Sequence, residues 1–231
     1  MDLPDRMKGY EAVSKSQLMP RTPAIIRIDG KAFHTWTKGL DRPFDTKFYV
    51  CMATTALELV EGIQGAVFAY GQSDEISILI RDYDTYETEQ WFKGSIQKIA
   101  SVSASMATAY FNQSVANIGF THQRPLAMFD ARVFSLPANE VENYFIWRQQ
   151  DFLRNSVQSC ARHYLGHKAC QGLNRQQMID AMREMEVPFD WYKDLNSAYQ
   201  KGYVYCKNSG HRANFEIPTF SECREFIGIH V

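Results

Sequence analysis

What the chain lacks narrows its function first. It has almost no net charge: 25 Lys and Arg stand against 26 Asp and Glu, a formal −1 over 231 residues. Without a global basic field, any nucleic-acid partner must be met by local positive charge. No apolar run is long enough to span a bilayer, so no membrane partner is expected. The first residues, MDLPDRMKGYEAV, lack the apolar core of a secretion signal. Cysteine is scarce: five residues, at 51, 160, 170, 206 and 223, odd in number and without CxxC pairing. That argues against a disulfide framework or a zinc ribbon and sets the expectation of a cytoplasmic protein. There is no internal repeat and no low-complexity linker. What remains is an ordinary globular composition, 45% apolar and 22% charged, with length enough for a sizeable core.

The apolar pattern is then informative. Residues 24–29 read as a strand, and 30–45 as a loop punctuated by Gly30, Gly39 and Pro43. Residues 46–62 are helical, with Gly62 as the expected cap. In AVFAYGQSDEISILI, 66–80, two strands flank a Gly-Gln-Ser turn, a β-hairpin. A long helix rich in small residues is expected over 89–111 and a fourth strand over 126–134. The order β-α-β-β-α-β predicts an α+β fold with a ferredoxin-like palm, four antiparallel strands against two helices. After Pro137 a helical appendage follows, with helices over 140–165 and 174–186 and a possible strand at the YVY of the tail. In the first of these, Ile146, Leu153, Val157, Cys160 and Tyr164 form an apolar stripe opposite Arg148, Asp151, Asn155, Gln158 and Arg162. We expect one compact unit: residues 1–137 as the palm, and 138–231 as a helical appendage packed on it.

The carboxylates carry the chemistry. Asp29 ends the first strand, and Asp74 and Glu75 open the third; in a ferredoxin-like sheet those strands are central neighbours. Two aspartates at one rim can hold two divalent cations. Hard oxygen donors suit Mg²⁺, which keeps several waters and accepts substrate phosphates. Gly30, without a Cβ, would let the backbone approach the metal and offer its carbonyl. The plainer reading is turn chemistry, since Asp and Ser-Asp-Glu after a glycine are common in hairpins; the joint placement favours the metal site. His163 and His167 have the spacing of a helical zinc pair, but no HExxH motif and no third ligand accompany them.

IIRIDGKAFHTW (25–36) and FAYGQSDEISILI (68–80) closely resemble the tRNA-His guanylyltransferase family, and within it the bacterial-type branch. SVSASMATAYFN, MFDARVFSLP, EVENYFIWRQQDFLRNSV and GHKACQG extend the resemblance over residues 7–210. It implies an enzyme that adds nucleotides 3′→5′ to the 5′ end of tRNA. The bacterial-type members are implied to repair 5′-truncated tRNA by templated addition; the eukaryotic ones add one untemplated G to tRNA-His. The eukaryotic His-Ile-Asn-Asn segment is matched here by Leu153, Arg154, Asn155 and Ser156, which favours the repair branch.

The resemblance further implies roles for single residues. Asp29 and Asp74 would ligate two Mg²⁺ ions, with the Gly30 carbonyl on one. Glu75 is a third catalytic candidate, although strand alternation would turn its side chain to the other face. ATP or GTP would activate the 5′-phosphate and NTPs would be donors. Lys31, Ala32, Phe33, His34, Arg42, Asp45, Ser73 and Lys98 are the expected nucleotide and triphosphate contacts, with Phe33 equally readable as core. The expected tRNA-binding set is Arg148, Gln149, Arg154, Asn155, Arg162, His167 and Lys168, mostly cations and amides suited to phosphates and 2′-hydroxyls. A homotetramer, a dimer of dimers, is also implied. Two rivals stand beside this reading: a nucleotidyl cyclase, which needs the carboxylates but no RNA, and a non-catalytic RNA-binding module, which needs neither Asp29 nor Asp74.

Overall fold

The computed structural model describes residues 1–119, 124–207 and 212–231. Its elements are α1 (Leu3–Ala12), β1 (Ala24–Gly30), α2 (Phe33–Trp36), α3 (Thr46–Gly62), β2 (Ala66–Gln72), β3 (Glu75–Ile80), α4 (Ile96–Asn117), β4 (Phe129–Ser135), α5 (Ala138–Tyr164), α6 (Arg175–Arg183), α7 (Trp191–Asp194), α8 (Ser197–Lys201), β5 (Tyr203–Cys206) and α9 (Glu225–Gly228). The sheet is antiparallel throughout, in the order β4-β1-β3-β2-β5. Its first four strands have the predicted ferredoxin-like order.

The near-continuous apolar run of β1 follows from burial on both faces. Ile26 and Ile28, with Ile76 and Ile78 of β3, pack under α3 and α4; Ile25, with Phe68, Tyr70 and Leu79, packs against Val141 and Phe145 of α5. A third cluster joins the far half of α5 to α6 and Trp191. Thus α5 lies across the sheet with its first half and under α6 with its second, so its buried face is wider than one stripe. Among the described residues no helix is long and apolar enough to cross a membrane.

Three local expectations change. The helix expected from residue 89 begins only at Ile96, because Phe92, Lys93 and Gly94 take positive φ and break the chain into a separate Trp91–Gly94 turn. Gly62 is the last helical residue and not the cap; a Cβ there would meet the Met106 Cε of α4 at 2.8 Å. The possible strand at the YVY of the tail is present as β5, and what changes is its place, since it joins the palm sheet beside β2.

Gln149 shows how the tail is tied down. It is 1% exposed. Its Nε2 donates to the carbonyls of Pro218 (3.0 Å) and Lys201 (3.4 Å), and its Oε1 accepts from the Phe220 N–H at 2.7 Å. This amide is therefore a strap for the chain after β5 and not an RNA contact, a correction to the sequence reading. Gln149→Ala takes this partner from the Pro218 carbonyl and the Phe220 N–H, while the Lys201 carbonyl keeps the Tyr70 hydroxyl at 2.8 Å, and it is expected to lower unfolding free energy by about 2 kcal/mol in urea titrations.

Candidate functional site

The hairpin between β2 and β3 builds the rim. Gln72 faces Glu75 in register, leaving Ser73 and Asp74 as the turn. Ser73 adopts φ 48°, the left-handed region, and its hydroxyl donates to Asp74 Oδ1 at 3.0 Å. The turn is tied to β1 by the Gly30 N–H, which donates to the Asp74 carbonyl at 3.1 Å. Antiparallel register then sets Asp130, Asp29 and Glu75 side by side across β4, β1 and β3, on the face that α5 covers. Glu75 therefore stays on the same face as Asp29, contrary to the expected alternation, because Asp74 belongs to the turn and not to the strand.

Crowding shows in the electrostatics. The Asp29 carboxyl is pushed up to about 6, first by burial, then by Asp74, Glu75 and Asp130, against a lowering by Arg27. Asp74 is raised too, first by burial; its own backbone and the Ser73 hydroxyl oppose this, Glu75 adds to it, and His34 opposes it. Among the described residues no ion pair reaches Asp29 or Asp74, whereas Glu75 is held by Arg148 at 2.7 Å. Two unpaired, mutually repelling carboxylates are a donor set that a divalent cation would relieve. No group of three or more His, Cys, Asp or Glu among the described residues forms a cage. The hard carboxylate oxygens of Asp29 and Asp74 fit Mg²⁺, whose other positions belong to water and phosphate oxygens. A cavity of about 240 Å³ opens at these residues, lined also by Ser73, Asp151 and Asn155. A second, of about 130 Å³, lies beside it around Arg42, Phe44 and Asp45 and shares Ser73 with the first.

The loop after β1 turns at Ala32, in the left-handed region at φ 56°. Among the described residues the N–H groups of Ala32, Phe33 and His34 have no backbone acceptor, an arrangement that suits anions. Phe33 itself is core: it packs on Phe129 (5.0 Å), Trp36 and Phe111 (both 5.5 Å). That ring also explains Gly30, since a Cβ would meet Phe33 Cδ2 at 2.4 Å. The glycine is needed for the ring whether or not a metal is present. Gly30→Ala is expected to cost about 1–3 kcal/mol by overpacking, read as a lower melting temperature. On the other side of the loop a groove of about 770 Å³ carries Lys31, Lys38 and Arg124 over an apolar floor.

Other expected contacts fall in different places. Arg42 is exposed at the mouth of the second cavity. Asp45 caps α3, accepting the Phe48 N–H at 2.9 Å and the Asp41 N–H at 3.2 Å; a structural role occupies its carboxylate. Lys98 cannot reach the site. It lies beside Ile99 at the start of α4, where Ile99 neighbours Ala24 and Ile80, a strand's length from Asp29. β3 runs away from the turn, so α4 begins at the opposite end of the sheet. Arg148 is buried against Glu75, which removes it, like Gln149, from the RNA-facing set. Arg154, Asn155, Arg162, His167 and Lys168 are exposed, with Asn155 at the carboxylate cavity. The sequence reading missed Arg27 and Arg132, which face each other on β1 and β4 one step from the Asp29–Asp130 pair. Among the described residues Arg27 Nε is buried without a hydrogen-bond partner. The signal was present: Arg27 is two residues from Asp29 and so shares its face.

Comparison with known proteins agrees with this geometry. The family model described as tRNAHis guanylyltransferase matches residues 4–137. A bacterial tRNA(His) guanylyltransferase-like protein solved in complex with ATP superposes with a TM-score of 0.95 at 44% identity, covering 100% of this chain and 99% of that one. Another, in complex with GTP, gives 0.82 at 39% identity, covering 99% and 98%. The Drosophila melanogaster protein named "Probable tRNA(His) guanylyltransferase" is 29% identical over 214 residues, 86% of this chain and 71% of its own. The matched family segment contains β1, the hairpin and the two aspartates, and with them the chain belongs to the tRNA-His guanylyltransferase family.

Proposed function

We propose that this chain is a tRNA 5′-end nucleotidyltransferase that adds nucleotides in the 3′→5′ direction against the opposite strand, restoring 5′-truncated tRNA. The observation that carries the reading is the pair Asp29 and Asp74 at one rim, without an ion pair among the described residues and beside loop N–H groups that have no backbone acceptor there. Mg²⁺ held by Asp29 and Asp74, with the Gly30 carbonyl within reach of the same rim, would polarise phosphoryl oxygens and make the attacking hydroxyl more acidic.

The chain's own residues supply the rest. In the first step a 5′-monophosphate oxygen attacks the α-phosphorus of ATP or GTP, pyrophosphate leaves, and the 5′ end carries a nucleoside monophosphate. In the second, the 3′-hydroxyl of the incoming NTP attacks the RNA 5′-phosphorus, the nucleoside monophosphate leaves, and a new phosphodiester forms. Ala32, Phe33 and His34 N–H groups and the Ser73 hydroxyl bind triphosphate oxygens. Arg42 and Phe44 flank the nucleotide in the second cavity. Arg27 and Arg132 meet the RNA 5′-phosphate; the partnerless Arg27 Nε supports an anion there. Arg154, Arg162, His167 and Lys168, with Lys31 and Lys38 of the groove, hold the RNA backbone, and Asn155 faces the reacting end.

We assign residues 1–137 to catalysis and 138–231 to RNA binding and to assembly as a homotetramer in the cytoplasm. Addition of a single untemplated G to tRNA-His is the alternative within the family. It is disfavoured because Leu153, where that branch has its histidine, packs toward the third core cluster. The test is incubation of tRNA lacking its 5′-terminal nucleotide with Mg²⁺, ATP and NTPs, read by product length. One-nucleotide extension supports repair. Extension only of full-length tRNA-His makes the alternative correct, and RNA binding without extension makes the chain a binding module.

A further inference from the structure

Glu75 lines the same cavity as Asp29 and Asp74 but, unlike them, is engaged by an arginine. Register sets it beside Asp29 on one face of the sheet, next in sequence to Asp74. Arg148 of α5 engages it instead: Nε donates to Oε1 and Nη2 to Oε2, each at 2.7 Å, with the two side chains only 9% and 12% exposed. Gln72 Nε2 (3.2 Å) and the Ser77 hydroxyl (3.4 Å) donate to the same Oε1. Arg148 Nη2 also reaches Asp151 at 3.3 Å, and the guanidinium carbon stands 4.6 Å from the centre of the Trp147 ring. A two-pronged guanidinium–carboxylate contact fixes orientation as well as charge.

We propose that Arg148 is a positioning residue: it withholds Glu75 from the divalent-cation site and anchors the Ser73–Asp74 turn to α5. This inference rests on the cation reading above. The physical consequence is a site with two carboxylate ligands and not three. A third carboxylate would hold the ion more tightly and fill an oxygen position that water and substrate phosphates need. Arg148 touches no substrate in this account; it acts through Glu75.

The test measures binding of Mn²⁺ alone, without nucleotide or RNA, to the full chain by electron paramagnetic resonance, beside steady-state kinetics. Asp74→Asn is expected to weaken Mn²⁺ binding about tenfold or more, and Glu75→Gln to leave it within about threefold of wild type. Arg148→Met is expected to tighten Mn²⁺ binding about fivefold while kcat falls and KM for NTP changes little; adding Glu75→Gln returns the affinity to near wild type. Weakening by Glu75→Gln as large as that by Asp74→Asn makes Glu75 a ligand and overturns the proposal. Unchanged affinity in folded Arg148→Met overturns it as well. If Arg148→Met does not fold, Glu75→Gln alone decides. If Asp74→Asn binds Mn²⁺ like wild type, the cation reading itself fails and the positioning role falls with it.

Discussion

Asp29→Asn is expected to lower kcat for nucleotide addition by about 10³-fold or more and, in the absence of divalent ions, to raise the melting temperature. Both effects have one cause. The carboxylate is buried and, beyond that, set where other carboxylates repel it, and a cation or a proton relieves both costs. The folded-state carboxyl titrates at about 6, above its ordinary 3.8, so at neutral pH its charge opposes folding. Because Asp29 is only partly buried, the cost is discounted to about 1 kcal/mol, or about 2–4 °C for a chain of this size. The sign is specific. As pH falls through about 6 the wild-type carboxyl takes up its proton in the folded state, so the difference between the two proteins shrinks. It is gone near 3.8, where the unfolded chain is protonated too. Calorimetry in EDTA at pH 8 and at pH 4.5 checks this. An Asn variant less stable than wild type at pH 8 would contradict it.

Arg148→Met is expected to lower unfolding free energy by about 3–5 kcal/mol, because it strands the Glu75 charge inside the protein. The melting temperature should fall by about 10 °C. Glu75→Gln introduced into the same chain should recover most of the loss, since it removes the stranded charge and leaves a neutral amide that Gln72 and Ser77 can still hydrogen-bond, beside a methionine that packs. Urea unfolding of wild type, both single variants and the double variant closes the cycle. Costs that simply add would mean that the pair is not coupled, despite its two 2.7 Å contacts.

Much of this was legible in the sequence because it is local. The apolar run of β1, the helix over 46–62 and the Gly-Gln-Ser-Asp hairpin each declare themselves through period or turn chemistry, and they alone bring Asp29 and Asp74 to one rim. Arg148 and Gln149 were not legible. On a helical wheel they belong to a polar face, and only the passage of α5 from the sheet to α6 buries them. Their partners, Glu75 and the Phe220 backbone, are 73 and 71 positions away. The Phe33 ring, which leaves no room for a Cβ at Gly30, is a second reason for that glycine that the strand-Asp-Gly pattern does not reveal. Topology alone excludes Lys98: β3 leaves the turn, so the helix after it must start far from the Asp29–Asp74 rim. Arg27 is the converse case, since strand alternation already places it on the Asp29 face.

The most direct test of templated 3′→5′ addition changes the template. Two tRNAs lacking their 5′-terminal nucleotide, differing only in the base opposite the gap, are given Mg²⁺, ATP and all four NTPs, with wild type, Asp29→Ala and Asp74→Ala. The account predicts that wild type adds the complement of whichever base is present and that neither variant extends either RNA. Addition of G to both RNAs, or extension that survives loss of Asp29 or Asp74, would contradict it.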